Sequence, residues 1–247
     1  AGLGVERNEI NSAVNRDGEE QLSDELADFI DENGKEATTY ELQTGWSRDT
    51  RNRTFFATRG SNTQFEFNIK GPGSDLEYYD TSFEHERYFR VGAWVPGLSD
   101  KMVLSMDGRV AQTDVWGEGE DVPPYDNFFA GGARSVRGYS NGGLGPRDSL
   151  DNPFGGQFLT TLQSELVIPT FLESDNKSTR LTAFYDIGNV YEDASDFEAS
   201  ELRKSAGVAF YWFTPFFGLL RVSYAAYVDD PDNDDVDRFQ FSFGVGL

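Results

Sequence analysis

The sequence contains few of the side chains with which enzymes carry out covalent or acid–base chemistry. Its 247 residues include one histidine, His85, and no cysteine. Pairs of nucleophile and base that need cysteine or several histidines cannot be built from this set, nor can cysteine-ligated zinc or iron–sulfur sites. We assign no metal site and no cofactor, and we expect a protein that is not an enzyme.

Acidic side chains are abundant, but their arrangement indicates solvated loops. The formal net charge is -22, which opposes binding to nucleic acid because such binding needs a basic surface. Much of the acid lies in short blocks at residues 17–20, 118–121 and 229–235. These blocks lack the spacing of an EF-hand loop, so solubility or adaptation to salt explains them better than calcium binding. We expect no nucleic-acid partner.

Apolar and polar residues alternate with a period of two along most of the chain, which predicts β-strands. Between Ser61 and Lys70, for example, Phe65, Phe67 and Ile69 alternate with polar neighbours. About ten segments share this pattern, at residues 1–10, 38–47, 61–70, 76–91, 101–116, 157–170, 179–192, 201–214, 216–228 and 239–247. A helical pattern is confined to Glu19–Glu32, where we expect a short surface helix inside a loop.

The composition favours a membrane barrel over a soluble β-sandwich. Aromatic residues make up 15% of the chain and glycine contributes 26 residues, which suits an aromatic girdle, a polar lumen and tight turns. No stretch is apolar over the roughly 18 residues that a transmembrane helix needs. We predict an all-β fold, an antiparallel transmembrane β-barrel with a long loop at 117–156 and short turns such as 214–218. A sandwich, whose strands also alternate, is the soluble alternative.

One face of each barrel strand should contact lipid. The side chains that we predict on this face are Tyr40, Leu42, Phe65, Phe67, Val208, Phe210, Trp212, Val222, Tyr224, Phe241 and Phe243. The segment between Tyr79 and Val91 fits poorly, because the strand face that presents Phe83 and Phe89 also presents His85 and Arg87. We expect those two side chains to lie beyond the hydrocarbon band.

The long loop contains the most specific motif of the chain. It reads Tyr125-Asp-Asn-Phe-Phe-Ala-Gly-Gly-Ala-Arg-Ser-Val-Arg-Gly-Tyr139. This segment closely resembles the loop-six signature of the BamA/TamA outer-membrane superfamily, in which Val-Arg-Gly-Phe or Val-Arg-Gly-Tyr follows Phe-x-Ala-Gly-Gly. The resemblance continues, in the order expected for the last strands of that family, at residues 164–170, 184–190, 205–209 and 239–243. Within the family, Leu144-Gly-Pro146 and residues 165–170 look more like the BamA type than the TamA type.

The resemblance implies a sixteen-strand family barrel preceded by periplasmic POTRA domains. Because this chain supplies about ten strands and no such domain, we interpret residues 1–247 as the C-terminal part of an outer-membrane barrel. We also expect the strand at residues 1–10 to lack its natural neighbour. The final Leu247 departs from the family, in which an aromatic end is commoner. The implied location is the outer membrane of a Gram-negative bacterium.

The same resemblance gives loop six a structural role. Its motif consists of Val136, Arg137, Gly138 and Tyr139. In the family this loop folds inward into the lumen, where its arginine meets acidic residues of the barrel wall. Strand parity supports that geometry, because Glu165 and Asp186 each share a strand face with polar residues. We therefore expect Arg137 to contact Glu165, Asp186 or both as an internal latch.

The activity implied by the resemblance is the folding and insertion of outer-membrane β-barrel proteins. A weak seam between the first and last strands would open and offer a strand edge to the client. Its C-terminal side would comprise Phe239, Phe241, Phe243, Gly244 and Gly246. The implied partners are outer-membrane lipids, unfolded client proteins and, through the periplasmic domains, lipoproteins of an assembly machine. The alternatives are a translocation pore of the same superfamily (TamA-like, two-partner secretion or patatin-type autotransporter) and a passive porin.

Overall fold

The computed structural model describes residues 1–10, 22–93, 99, 101–116, 121–169, 178–214, 216, 218–228 and 235–244. These residues form twelve strands and one α-helix, α1 (Asp24–Asn33). The strands are β1 (Gly2–Glu9), β2 (Glu36–Asp49), β3 (Gly60–Lys70), β4 (Tyr78–Phe89), β5 (Leu104–Val115), β6 (Gly138–Tyr139), β7 (Phe158–Ile168), β8 (Thr179–Tyr191), β9 (Arg203–Thr214), β10 (Gly218–Tyr227), β11 (Val236–Asp237) and β12 (Phe239–Gly244). No helix among them is long and apolar enough to cross a membrane.

Ten of the described strands make a single antiparallel sheet in the order β1-β2-β3-β4-β5-β7-β8-β9-β10-β12. The two remaining strands, β6 and β11, pair only with each other. The predicted all-β fold is confirmed, and the two-sheet sandwich is excluded for the described residues because the large strands share one sheet. The order also shows that every long strand pairs with the next one along the chain, as in an up-and-down barrel.

The two faces of the sheet differ as a barrel wall requires. Of the residues predicted to face lipid, none is buried, and Tyr40, Trp212 and Phe243 have exposed fractions of 50%, 48% and 69%. The opposite face carries buried polar side chains, among them Thr182 and Ser205. The alternation of apolar and polar residues suits a barrel strand, because one face of the strand contacts hydrocarbon and the other faces a polar lumen.

As far as its strands are described, the sheet has two edges, β1 and β12, which do not pair with each other. Strand β1 pairs with β2 on one side only, and Leu3 on it is 88% exposed. Strand β12 pairs with β10, from Phe239 opposite Tyr224 to Gly244 opposite Gly218. The strand at residues 1–10 is expected to lack its natural neighbour, and among the described strands it pairs with β2 alone.

Helix α1 lies in the loop between β1 and β2, where the sequence predicted a helix. It begins later than predicted, because the Ser23 side chain caps it by accepting a hydrogen bond from the Leu26 amide at 3.4 Å. Residues 19–21 of the predicted segment lie outside the described residues. Phe29 on the inner face of the helix is buried in a cluster with Leu76 and Tyr78. That cluster holds the helix on the same end of the sheet as loop six.

The opposite end of the sheet carries a connection that also folds inward. Residues 50–59 join β2 to β3, and Ala57 among them is fully buried. The ring of Phe55 lies 4.8 Å from that of Phe213 on β9, and Arg180 on β8 donates a hydrogen bond to the Ala57 carbonyl at 3.3 Å. This connection therefore reaches from the second and third strands to β8 and β9. It lines a cavity of about 580 Å³ together with lumenal residues of the sheet.

Candidate functional site

The centre of the candidate site is Arg137, which is fully buried although it belongs to a loop. Its Nε lies 2.6 Å from Asp186 Oδ2 and its Nη2 lies 2.7 Å from Asp186 Oδ1, so the guanidinium and the carboxylate form a two-pronged ion pair. The backbone amide of Arg137 donates a third hydrogen bond to the same carboxylate at 3.1 Å. Asp186 on β8 is also fully buried. Loop and wall are thus joined by charge-assisted hydrogen bonds shielded from water.

A second carboxylate completes the ion-pair cluster from the neighbouring strand. Glu165 on β7 accepts hydrogen bonds from Arg137 Nη1 and from the hydroxyl of Tyr211 on β9. The same hydroxyl lies 3.3 Å from Arg137 Nη1. The guanidinium carbon also lies 3.7 Å from the ring centroid of Phe184 on β8, within the range of a cation–π contact. The predicted contact of Arg137 with both acidic residues is therefore present, and three adjacent strands supply its partners.

Two glycines allow loop six to approach the wall this closely. Gly138 has a φ of 95°, which favours glycine, and a Cβ added there would lie 3.0 Å from the Cβ of Ala225 on β10. On the wall, a Cβ at Gly207 would lie 2.6 Å from the Phe184 ring and 2.1 Å from the Tyr224 carbonyl oxygen. Gly207 therefore provides the space in which Phe184 lies under Arg137.

The residues on either side of Arg137 anchor the loop through apolar packing. Val136 and Tyr139 are fully buried, in a cluster that includes Leu144 of the same loop and Leu159 and Val190 of the wall. A fully buried valine contributes about 1.5–3 kcal/mol relative to its exposed state. All four motif residues are buried, so this arginine loop packs as part of the interior.

Loop six is also bonded to the segment that leads into the last strand. Strand β6 of the loop pairs with β11, with Tyr139 opposite Val236 and Gly138 opposite Asp237. Gln240 on β12 donates a hydrogen bond to the Tyr139 carbonyl at 2.6 Å. Arg147 further along the loop lies 3.0 Å from the Asp235 carboxylate. The latch is thus fixed to β7, β8 and β9 on one side and to β11 and β12 on the other.

Helix α1 contacts loop six on the outer side. The Asp24 amide donates to the Ser149 hydroxyl at 2.8 Å, and the Ser149 amide donates to the Glu25 carboxylate at 3.0 Å. The second bond stabilises the ionised carboxylate, so it holds the pKa of Glu25 below its usual value. Both bonds are solvent-exposed, and they position the helix over the loop.

The residues predicted for the seam lie on the edge strand β12. Phe239, Phe241 and Phe243 are exposed on its outer face, with exposed fractions of 62%, 57% and 69%. Gly244 pairs with both Gly218 and Leu219, where the register shifts. Gly246 and Leu247 lie outside the described residues. Among the described strands, only β10 pairs with β12.

Sequence reasoning missed Tyr211, Phe184 and Gln240 as partners of loop six. Phe184 lies two residues before Asp186, and strand parity alone places its side chain on the lumenal face. Tyr211 is found in the same way, from its alternation with Ser205 and Ala209. Sequence parity cannot show which lumenal residues a loop will reach.

One sequence pattern in the loop suggests catalysis, but the structure does not support that reading. Gly138-Tyr-Ser-Asn-Gly142 matches the Gly-x-Ser-x-Gly pattern of hydrolase nucleophiles, which needs a turn from a strand into a helix. Here the first two residues form the short strand β6, and the Ser140 amide donates to the Asp235 carbonyl at 2.8 Å. His85, the one histidine, belongs to β4 and bonds Thr63 on β3. The serine therefore has no histidine base.

Comparisons with known proteins agree with this fold. The Omp85 superfamily domain matches residues 1–246. The outer membrane protein assembly factor BamA of Neisseria meningitidis serogroup B is 31% identical over 255 residues, which cover 89% of this chain and 31% of that protein. The assembly factor of the same name from Nitratidesulfovibrio vulgaris is 26% identical over 91% of this chain and 27% of its own length. This chain thus spans less than a third of the length of these relatives.

A solved structure shares the architecture. The crystal structure of BamA from Haemophilus ducreyi lacking POTRA domains 1-3 is 25% identical to this chain and superposes with a TM-score of 0.79. The superposition covers 90% of this chain and 47% of that one. The fold is therefore that of a BamA barrel, and the protein is located in the outer membrane of a Gram-negative bacterium. The family match along nearly the whole chain, the BamA relatives and the shared barrel together show that this chain belongs to the Omp85 superfamily.

Proposed function

We propose that this protein folds and inserts other β-barrel proteins into the outer membrane, as a factor that is not an enzyme. The observation that carries the proposal is loop six, whose Arg137 is ion-paired to the barrel wall and whose Tyr139 carbonyl accepts a hydrogen bond from Gln240 on β12. The similarity to proteins named outer membrane protein assembly factor supports it. Its clients would be unfolded outer-membrane proteins.

The physical need for such a factor follows from backbone hydrogen bonding. A strand that enters hydrocarbon without a partner leaves each of its backbone groups unsatisfied, at a cost of several kcal/mol per group. An edge strand already seated in the membrane can satisfy those groups as the client arrives. In this proposal β12 provides such an edge when its seam opens, and its outward phenylalanines hold it at the level of the lipid.

The latch supports this use of the edge because it keeps the rest of the wall in place. The ion pairs of Arg137 join loop six to β7 and β8, and β6 joins the loop to β11. The seam of β12 would then open on one side while β10 and, through Gln240, loop six hold the strand on the other. Two points stay predictions. One is that residues 1–247 are the C-terminal barrel portion of a protein with POTRA domains, and the other is that assembly-machine lipoproteins bind those domains.

A photocrosslinking experiment tests the proposal. A photoreactive phenylalanine analogue would replace Phe241 or Phe243 on the edge, Trp212 on β9 or Gln163 in the lumen. The protein, reconstituted in bilayers, would be illuminated while a urea-unfolded outer-membrane barrel protein folds. We expect client adducts at Phe241 and Phe243. Trp212 is the matched control, because it is also lipid-facing but lies two strands from the edge.

The same experiment separates the alternatives. Adducts that form mainly at Gln163 would indicate that the client passes through the lumen, as in a translocation pore, and would contradict the assembly function. Adducts at none of the four positions would contradict both the assembly function and the translocation pore, and would leave a passive porin. Equal labelling at Trp212 and Phe241 would show nonspecific adsorption to the outer wall and would also overturn the proposal.

A further inference from the structure

A group of polar residues interrupts the lipid-facing wall at the end of the sheet opposite loop six. We call it the outer polar patch, and it consists of Arg48, Thr50, Ser61, Thr63, His85 and Arg87. His85 and Arg87 are the residues that did not fit the alternation of β4. They alternate in step with Phe83, which is 47% exposed. Glu84 and Glu86 lie on the opposite face of the strand and line the lumenal cavity. Both residues therefore face outward.

Strand register brings the members of the outer polar patch together from three adjacent strands. Arg48 on β2 is opposite Thr63 on β3, and Thr63 is opposite His85 on β4. Arg87 is opposite Ser61 one step further along. The patch is therefore continuous across the wall, with an arginine at each side of the hydroxyl groups.

The neutral members of the patch are already bonded to one another. The Thr63 hydroxyl lies 2.8 Å from His85 Nδ1, and the Thr50 hydroxyl lies 3.3 Å from that of Ser61. These pairs hold the hydroxyl groups in fixed positions on the strands. The Thr50 hydroxyl also donates to the Ser61 carbonyl at 3.1 Å and accepts from the Ser61 amide at 3.0 Å, so Thr50 and Ser61 satisfy one another and the two arginines are left to bind an anion.

Both arginines of the patch are exposed and unmatched by acid. Within the described ranges, neither Arg48 nor Arg87 makes a salt bridge, whereas Arg51, Arg137 and Arg147 each contact two acidic side chains. The guanidinium of Arg87 lies 5.1 Å from the ring centroid of Phe89, so aromatic carbon partly covers it. An arginine on the lipid face is unfavourable unless an anion or the aqueous interface accepts it.

Aromatic residues border the patch on the side toward the middle of the wall. Trp46, Phe65 and Phe83 are opposite one another on β2, β3 and β4, and all three are exposed. Such residues mark the boundary between hydrocarbon and headgroups. A ligand of the patch would thus have an apolar part against these rings and an anionic part against the arginines.

The position of the patch identifies the leaflet. Loop six and helix α1 lie at the other end of the sheet, and long loops of outer-membrane barrels are extracellular. The patch is near the end of β2, the start of β3 and the end of β4, which is the periplasmic end. The periplasmic leaflet of an outer membrane consists of phospholipids.

We propose that the outer polar patch is a binding site for an anionic phospholipid of the periplasmic leaflet. Arg48 and Arg87 bind the headgroup phosphate, and the acyl chains lie against Trp46, Phe65 and Phe83. The site is independent of the client edge, because β2 to β4 are separated from β12 by at least five strands of the sheet.

Trp46 provides a local reporter for this site. Full-length protein would be reconstituted into phosphatidylcholine vesicles that contain brominated phosphatidylglycerol or brominated phosphatidylcholine, since bromine quenches tryptophan emission at contact. The Trp46 contribution is the difference between the wild type and Trp46→Phe. We expect brominated phosphatidylglycerol to bind at Trp46 more tightly than brominated phosphatidylcholine, by roughly fivefold for each arginine, the factor that corresponds to about 1 kcal/mol.

Variants show whether the patch itself is responsible. The double change Arg48→Gln and Arg87→Gln should bring the ratio of the two lipid affinities, phosphatidylglycerol to phosphatidylcholine, near one. Arg48→Lys with Arg87→Lys should keep a preference for phosphatidylglycerol. Arg53→Gln with Arg59→Gln is the matched control, because it removes the same charge from exposed positions in the nearby connection. Heat-dependent migration in gels confirms that each variant is folded.

Three results would overturn the proposal. One is that the wild type binds phosphatidylglycerol and phosphatidylcholine with nearly equal affinity. Another is an equal loss of preference in the Arg53 and Arg59 control, which would mean that diffuse surface charge attracts the lipid. The last is a change of Trp46 emission with inorganic phosphate alone, in vesicles of phosphatidylcholine, which would identify a soluble anion as the ligand.

Discussion

Replacing Arg137 with alanine should release loop six from the barrel wall. The change removes the two side-chain hydrogen bonds to Asp186 and those to Glu165 and Tyr211. The backbone amide of residue 137 keeps its bond to Asp186 only while the loop stays in place. Asp186 has no solvent exposure. Its carboxylate would therefore be left buried with its main counter-charge gone.

The size of the effect follows from that burial. Removing one partner of a buried ion pair costs about 3–5 kcal/mol, because the other charge stays desolvated. At 1.4 kcal/mol for each factor of ten, the open state of the loop should become populated roughly 10² to 4 × 10³ times more often. Asp186→Ala should have an effect of similar size. The double variant should cost clearly less than the sum of the two, by about 0.5–3 kcal/mol.

Amide hydrogen exchange measures this directly. The amides of Gly132, Arg137, Ser140 and Leu144 are hydrogen-bonded in the latched loop, so a peptide over residues 131–145 should exchange faster by the same factor. Peptides from β2 and β3 are the internal control and should not change. Unchanged exchange at 131–145 in Arg137→Ala, or fully additive effects of the two single variants, would refute the latch.

Three further changes test other contacts. Phe241→Arg should lower the free energy of unfolding in bilayers by about 2–4 kcal/mol if the residue lies at mid-bilayer, as measured by urea titration, and by much less near an interface. Gly138→Ala should cost about 1–3 kcal/mol, because it combines a φ of 95° with a Cβ 3.0 Å from that of Ala225, and faster amide exchange of loop six would report it. Gly207→Ala should displace the Phe184 ring and cost about 1–3 kcal/mol, measured in the same urea titration; an unchanged midpoint would show that the ring is not held there.

The strands could be predicted from the sequence because each one has one face toward lipid and the other toward the polar lumen. In β3 the alternation of Phe65, Phe67 and Ile69 with polar residues predicts the strand at 61–70, and the structure has it at Gly60–Lys70. Strands β6 and β11 have two residues each, too few for any period to show. Residues 50–59 were not predicted to fold inward, since a buried loop is recognised by its contacts and not by its own pattern.

The site was predictable in part for a similar reason. Parity placed Glu165 and Asp186 on the lumenal face, and the loop motif placed Arg137 near them. Neither source indicates that Tyr211 bridges to Glu165 or that Gln240 bonds the loop, because these contacts depend on how far loop six descends into the lumen. The outward His85 and Arg87 were placed beyond the hydrocarbon band from sequence. Their register with Thr63 and Ser61 needed the structure.

The most direct test of the proposed assembly function is the rate at which a client folds. Full-length protein would be reconstituted in phospholipid vesicles, and the folding of a urea-unfolded outer-membrane barrel protein would be followed by its resistance to protease. The account predicts faster folding than in empty vesicles, and a loss of much of that acceleration in Arg137→Ala although the variant stays folded. Folding that is no faster than in empty vesicles would contradict the account.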